Sequence, residues 1–222
     1  MESLDLRVLA DALNWRTSGH GVTLVTVVET WGSAPRPAGA MLAVRDDGVV
    51  SGSVSGGCVE DDLIARIKAG EHAGSKPSMI AYGVTKDEAA RFGLPCGGTL
   101  RLVQEPLSDT TWVVDLLART ANHELLARTL TLASGQVELR TAARGQAMAF
   151  DGLTLTTMFG PKWRLLLIGA GQLSQAVAQM AQMLDFEVLV CDPREEYAAT
   201  LNMRDVTRVA GMPDDVVREM KA

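Results

Sequence analysis

Residues 164–195, RLLLIGAGQLSQAVAQMAQMLDFEVLVCDPRE, read as one strand–turn–helix–strand unit. An apolar run at 164–168 is followed by Gly169-x-Gly171-x-x-Ser174, a helical stretch to about 184 and a second apolar strand that ends at Asp192. Two glycines after a strand permit a tight turn and close approach of a pyrophosphate, and the following helix start offers backbone donors and the positive end of its dipole. Asp192 stands about 20 residues past Gly171, where a ribose-binding acid is expected. Gly169, Gly171 and Asp192 are therefore candidate nucleotide contacts, with Ser174 as a small stand-in for the third glycine. The alternative is a Rossmann-like half kept for architecture alone. Met180 and Met183 are expected to face the sheet as core filler.

Downstream, VTRVAG (206–211) predicts a third strand and PDDVVREMKA a last helix. A doubly wound sheet of about six strands cannot be completed after the boundary at Gly160-Pro161, so 161–222 reads as a truncated, partial Rossmann-like domain. Its incomplete sheet leaves an edge to cover, which makes a homodimer the expectation.

Upstream the pattern changes. Residues 4–18 carry apolar residues at helical spacing, VTLVTVVET (22–30) and MLAVR (41–45) are strands, and a turn at Asp46-Asp47-Gly48 leads to a short strand at 49–52. CVEDDLIARIKAG (58–70) is an amphipathic helix ending at a glycine. SMIAYG and TLRLVQEP predict strands, TKDEAARFG a short helix, and 110–122 a further helix. From 124 to 158, alternating segments around Ser134-Gly135 and Asp151-Gly152 predict an antiparallel β module. The fold class is α/β: a mixed α+β domain at 1–106, a β-rich connector or sheet extension at 107–160, and the parallel βαβ domain at 161–222.

The first domain holds the other candidate chemistry. Between strand and helix lies Ser51-Gly52-Ser53-Val54-Ser55-Gly56-Gly57-Cys58-Val59-Glu60. Its glycines leave N–H groups unobstructed, its serines offer hydroxyls, and the helix start favours an anion, so a phosphate-bearing ligand suits it. Cys58 opens the helix, a position that stabilises a thiolate and makes it a candidate metal ligand, sulfur carrier or nucleophile. The competing reading is a small residue packed in a turn. Cys96 sits in a similar setting, Leu94-Pro95-Cys96-Gly97-Gly98, while Cys191 ends an apolar strand and reads as a small hydrophobe. In Gly32-Ser33-Ala34-Pro35-Arg36-Pro37, Arg36 on a proline-stiffened turn suits phosphate recognition. His20, His72 and His123 share no motif with an acid or serine, and Asp61 and Asp62 are first-turn helix acids.

Composition narrows the classes. The 222 residues suffice for a real core, and 21 Lys plus Arg against 27 Asp plus Glu give a net charge of −6, which argues against nucleic acid and anionic membrane surfaces. The three cysteines form no C-x-x-C pair, excluding a zinc or disulfide framework. No run approaches the ~18 apolar residues of a membrane span, and the acid-containing start is unlike a signal peptide. These features predict a cytoplasmic protein.

Four segments, GSAPRPAGAMLAV, GSVSGGCVEDDL, GLPCGGTLRLVQEP and the βαβ stretch, resemble in this order the XdhC/CoxI family of xanthine dehydrogenase accessory proteins. The resemblance covers most of 10–106 and 164–197, with the glycine–cysteine segment its most specific part. It implies a maturation factor that binds the molybdenum cofactor (molybdopterin), assists its sulfuration with a cysteine desulfurase and hands it to a molybdenum hydroxylase of the xanthine dehydrogenase type. It also implies a cofactor site drawn from Ser33, Arg36, Ser53, Ser55, Gly56, Gly57, Cys58, Glu60, Cys96, Gly97 and Gly98, with Cys58 and Cys96 as metal ligands and no catalytic residue. The cofactor is an anionic pterin phosphate with a dithiolene-bound metal, which matches an anion-friendly loop beside a thiol. The alternative function is an NAD(P)-binding oxidoreductase built on Gly169, Gly171 and Asp192.

Overall fold

The computed structural model describes residues 3–31, 36–70, 74–83, 99–143, 145–160, 163–184, 186–194 and 205–220. The chain divides into two compact units, Ser3–Pro161 and Lys162–Ala222.

The first unit is built on a five-stranded antiparallel sheet from β1 (Val22–Trp31), β2 (Met41–Arg45), β3 (Val50–Gly52), β4 (Ser78–Tyr82) and β5 (Thr99–Pro106), in the order β3-β2-β1-β5-β4. Its central strand β1 is buried without interruption from Val22 to Val28 because both faces are covered. On β2 the period-2 alternation sends Met41 and Ala43 to one core and Leu42 and Val44 to the other. The first core receives Val8, Leu9 and Ala12 of helix α1 (Ser3–Thr17) and Trp112, Val113 and Leu116 of α3 (Thr111–Ala121). The second receives Val59, Leu63 and Ile67 of α2 (Cys58–Lys68). Gly52 ends β3 with φ +86°, and a Cβ there would fall on the Met41 carbonyl oxygen and on Val8 of α1, so the close approach of α1 requires glycine.

Residues 126–159 form a second antiparallel sheet, β6 (Leu126–Thr131), β7 (Val137–Thr141), β8 (Ala149–Phe150) and β9 (Thr154–Phe159), in the order β7-β6-β9-β8. It packs into the first unit, since Leu130 and Leu155 meet Val28 and Val103 of the first sheet, and Leu126 and Phe159 join the core under α1 and α3. Between these apolar pairs, in register across β6 and β9, lie Arg128 and Thr157. Arg128 is fully buried, donates to both oxygens of buried Glu105 on β5 (2.8 and 2.6 Å), and stacks 4.1 Å from the Trp112 ring centroid.

The second unit has β10 (Arg164–Ile168), β11 (Glu187–Cys191) and β12 (Val206–Val209) in a parallel sheet of order β10-β11-β12, with α4 (Gln172–Met183) and α5 (Pro213–Glu219). This is the expected Rossmann-like βαβ arrangement. The methionine expectation fails. Ala178 and Ala181 face the sheet, where their small side chains let α4 lie close to Val188 and Val190, whereas Met180 and Met183 are 57% and 86% exposed. Cys191 is fully buried, as its apolar strand predicts. Among the described residues no helix is long and apolar enough to cross a membrane.

Candidate functional site

At one end of the first sheet, β1 and β4 finish at Trp31 and Tyr82, β5 begins at Thr99 and β2 at Met41, and β3 finishes at Gly52. The antiparallel topology thus gathers the ends of the strands that flank every sequence-predicted segment of the first domain. Ser33, Cys96, Gly97 and Gly98 lie outside the described residues.

The loop 53–57 leaves β3 and enters α2 at Cys58. Its floor is apolar, with Val54 and Val59 fully buried against the β1 and β2 side chains. Its rim is exposed, and neither Gly56 nor Gly57 has any heavy atom within 4 Å of where a Cβ would stand. Cys58 is a free, exposed thiol. Arg36, also exposed, donates from Nε to the Ser53 hydroxyl at 3.4 Å. The structure therefore brings Arg36, Ser53, Ser55, Gly56, Gly57, Cys58 and Glu60 together.

The anion at the centre of the loop differs from the one the sequence suggests. Oε1 of Glu60 accepts from the Ser53 hydroxyl (2.9 Å) and from the N–H groups of Val54 (2.9 Å), Ser55 (2.8 Å) and Gly56 (2.9 Å). Oε2 accepts from the Ser55 hydroxyl and the Gly57 N–H (2.9 Å). Donors expected to face a ligand phosphate are engaged by the chain's own carboxylate. Burial alone would push the Glu60 carboxyl up; the Ser55 hydroxyl and then the Gly56, Ser55 and Gly57 amides outweigh it and hold the carboxyl at about 2.

Sequence reading missed how α2 is tied to the sheet. The Tyr82 hydroxyl donates to Asp62 at 2.9 Å, so this acid, which lies one residue past the first turn of α2 that it was expected to share with Asp61, clamps the end of β4 to α2. Burial, then the bond to Asp62, holds the Tyr82 phenol above its ordinary range. An aromatic residue ending a strand and an acid on the facing side of a helix carry no spacing motif that reveals their meeting.

In the second unit Gly169 has φ +99°, and Gly171 faces open space at the start of α4. Asp192 sits at the end of β11, as expected, but its carboxylate is nearly inaccessible. It accepts from the Ala170 N–H (2.9 Å), the Arg194 N–H (3.0 Å) and two Arg194 guanidinium nitrogens (2.9 Å each). The Arg194 side chain first, then the Ala170 and Arg194 amides, hold Asp192 well below the usual carboxylate range. It pins the glycine turn, and its lone pairs are engaged before any ribose hydroxyl arrives. Among the described residues no three His, Cys, Asp or Glu side chains cluster to hold a metal ion.

The model of the XdhC and CoxI family matches residues 15–83, and that of the XdhC Rossmann domain matches 165–220. A molybdenum cofactor insertion chaperone, PaoD of Escherichia coli (strain K12), is 34% identical over 191 residues, covering 84% of this chain and 57% of the relative. A probable xanthine dehydrogenase subunit from Bacillus subtilis (strain 168) is 28% identical over 227 residues, covering 89% of this chain and 68% of that protein. A crystal structure from Bacillus halodurans described as a xanthine dehydrogenase shares the fold, with TM-score 0.74 at 20% identity over 100% of this chain and 72% of the other.

Proposed function

From the premise that the chain belongs to the XdhC/CoxI family, we propose that it is a chaperone that binds the molybdenum cofactor, assists its sulfuration beside a cysteine desulfurase, and delivers it to a molybdenum hydroxylase of the xanthine dehydrogenase type. The observation that carries this reading is the exposed Cys58 thiol at the first position of α2, on a loop whose outer face is bare glycine. A thiolate is a soft ligand suited to a sulfur-rich metal centre. Open glycines let a broad, flat molecule approach the backbone. The fit is partial on the phosphate side, since the loop amides already serve Glu60, so the cargo's phosphate falls to Arg36 at the rim.

The test is anaerobic incubation with molybdenum cofactor, followed by metal and pterin analysis of the re-isolated protein. Cys58→Ser keeps the shape and loses the soft ligand, so retained molybdenum and client activation fall while folding stability changes by only about 1 kcal/mol. Retention and activation equal to the parent would refute the thiol's role.

A second reading, NAD(P) binding in the second unit, has in its favour the bare Gly171 at the start of α4, where backbone donors carry no side-chain cap. The engaged Asp192 weighs against it. Calorimetric titration with NAD and NADP decides: micromolar binding supports the reading, and flat traces with both remove it.

A further inference from the structure

Gly56 and Gly57 have little packing of their own, whereas Ser55 before them is buried. Gly56 and Gly57 are exposed, have no side chains and touch nothing above them, so buried Val54 and Val59 fix the two ends of the segment while its middle hangs on hydrogen bonds. The N–H groups that close this middle all donate to one side chain, while the Gly57 carbonyl accepts from the Asp61 N–H of α2. Four consecutive N–H groups, from Val54 to Gly57, converge on the Glu60 carboxylate together with the Ser53 and Ser55 hydroxyls. Converging successive amides form an anion nest, and here the occupant comes from the next turn of the same chain. Glu60 is the third residue of α2, where an acid also meets the positive helix end and caps the preceding N–H. Gly57, which donates to Oε2, is bonded directly to Cys58.

We infer that Glu60 is the positioning residue of the Cys58 site: its carboxylate is the anion around which residues 53–57 close, and closing them sets where the Cys58 thiol is presented. This deepens the cofactor-chaperone reading and rests on it for the meaning of the thiol. Arg36 reaches the same nest through Ser53, whose hydroxyl links the exposed guanidinium to the carboxylate, so the rim cation and the thiol are tied to one half-buried charge.

The experiment compares parent, Glu60→Ala and Glu60→Gln by hydrogen exchange of residues 54–57 and by the pH profile of Cys58 alkylation, read on its own peptide by mass spectrometry. Molybdenum-cofactor retention is measured alongside. In Glu60→Ala, exchange at 54–57 rises at least about tenfold, as local opening of an unanchored loop requires, the alkylation profile departs from the parent's, and retention falls towards that of Cys58→Ser. Formate or inorganic phosphate added to Glu60→Ala refills the nest and restores both the exchange and the alkylation profile, and leaves the parent unchanged. A merely structural side chain gives no such rescue. Parent-like exchange and alkylation in Glu60→Ala, or a failure of both anions to restore them, overturns the proposal. If Glu60→Ala does not fold, Glu60→Gln carries the test, because its amide turns a donor towards the Ser55 and Gly57 donors and opens the same loop. Failure of the parent itself to retain the cofactor would instead sink the chaperone reading while leaving the Glu60 exchange and rescue results intact.

Discussion

A carboxylate that gathers this many donors makes the local structure sensitive to acid in a definite direction. The Glu60 carboxyl ordinarily titrates near 4.5 and is held at about 2 in the folded chain. Between those values the unfolded chain binds the proton and the folded chain does not, so stability rises with pH across that window. The contribution is complete above about 4.5 and is lost as pH falls towards 2. Other carboxylates, among them Asp47 and Asp192, are depressed too, so the informative quantity is the difference between parent and Glu60→Gln. Urea unfolding at pH 7, 4 and 3 is expected to show the parent's advantage constant at the highest value and shrinking at each lower one. A difference that does not change with pH would mean that the Glu60 carboxyl titrates alike in the folded and unfolded chain, so that the nest does not favour its charged form. Asp192 performs the same office in the second unit, holding a glycine turn through Ala170. In both glycine loops the acid read from the sequence as a ligand contact is first a contact to its own loop, and no spacing rule distinguishes the two uses.

At the scale of strands and helices, the elements were legible wherever burial imposes one period. β1 reads as a continuous β-branched strand and β2 as a strand because both faces are covered, and α2 as an amphipathic helix because Val59, Leu63 and Ile67 lie on one face. Met180 and Met183 misled because hydrophobicity marks what tolerates burial, whereas the sheet beneath α4 selects small residues. The pair Arg128–Glu105 was illegible for a different reason: each charge interrupts an apolar strand, and only the packing of β6 on β5 shows that the interruptions coincide. The signal available in sequence was two opposite charges, Arg128 in the middle of β6 and Glu105 near the end of β5, each within a mostly buried strand. Removing one partner leaves the other charge buried and unpaired, which costs about 3–5 kcal/mol, whereas replacing both by apolar residues is often close to neutral. Arg128→Met is therefore expected to destabilise the first unit by an amount in that range, and Arg128→Met with Glu105→Leu to recover most of it. Chemical denaturation of the two variants checks this; equal losses would show that the Trp112 stacking and packing of Arg128, rather than the charge pair, hold the sheets together.

At the scale of the whole molecule, the candidate thiol site and the nucleotide-type turn lie in units of unequal robustness. Among the described residues the first unit has three apolar clusters, with leucines, valines and Trp112 filling the space on both faces of its central sheet. The second has, among its described residues, one small cluster of alanines and valines beneath α4, and β10 contributes residues that are only partly buried. A unit of about 60 residues buries a smaller fraction of its surface on folding and is correspondingly marginal. Opening free energies should follow that difference, since local stability tracks buried apolar contact. Amides of β10, β11 and β12 are expected to exchange at least about tenfold faster than those of β1, β2, β5 and β6, and heating should melt the second unit before the first. The thiol site then survives the first transition: Cys58 alkylation keeps its native rate at temperatures where residues 164–219 already exchange freely. A single transition with uniform protection would show instead that the two units fold as one, and would couple any ligand at the glycine turn of α4 to the stability of the Cys58 loop.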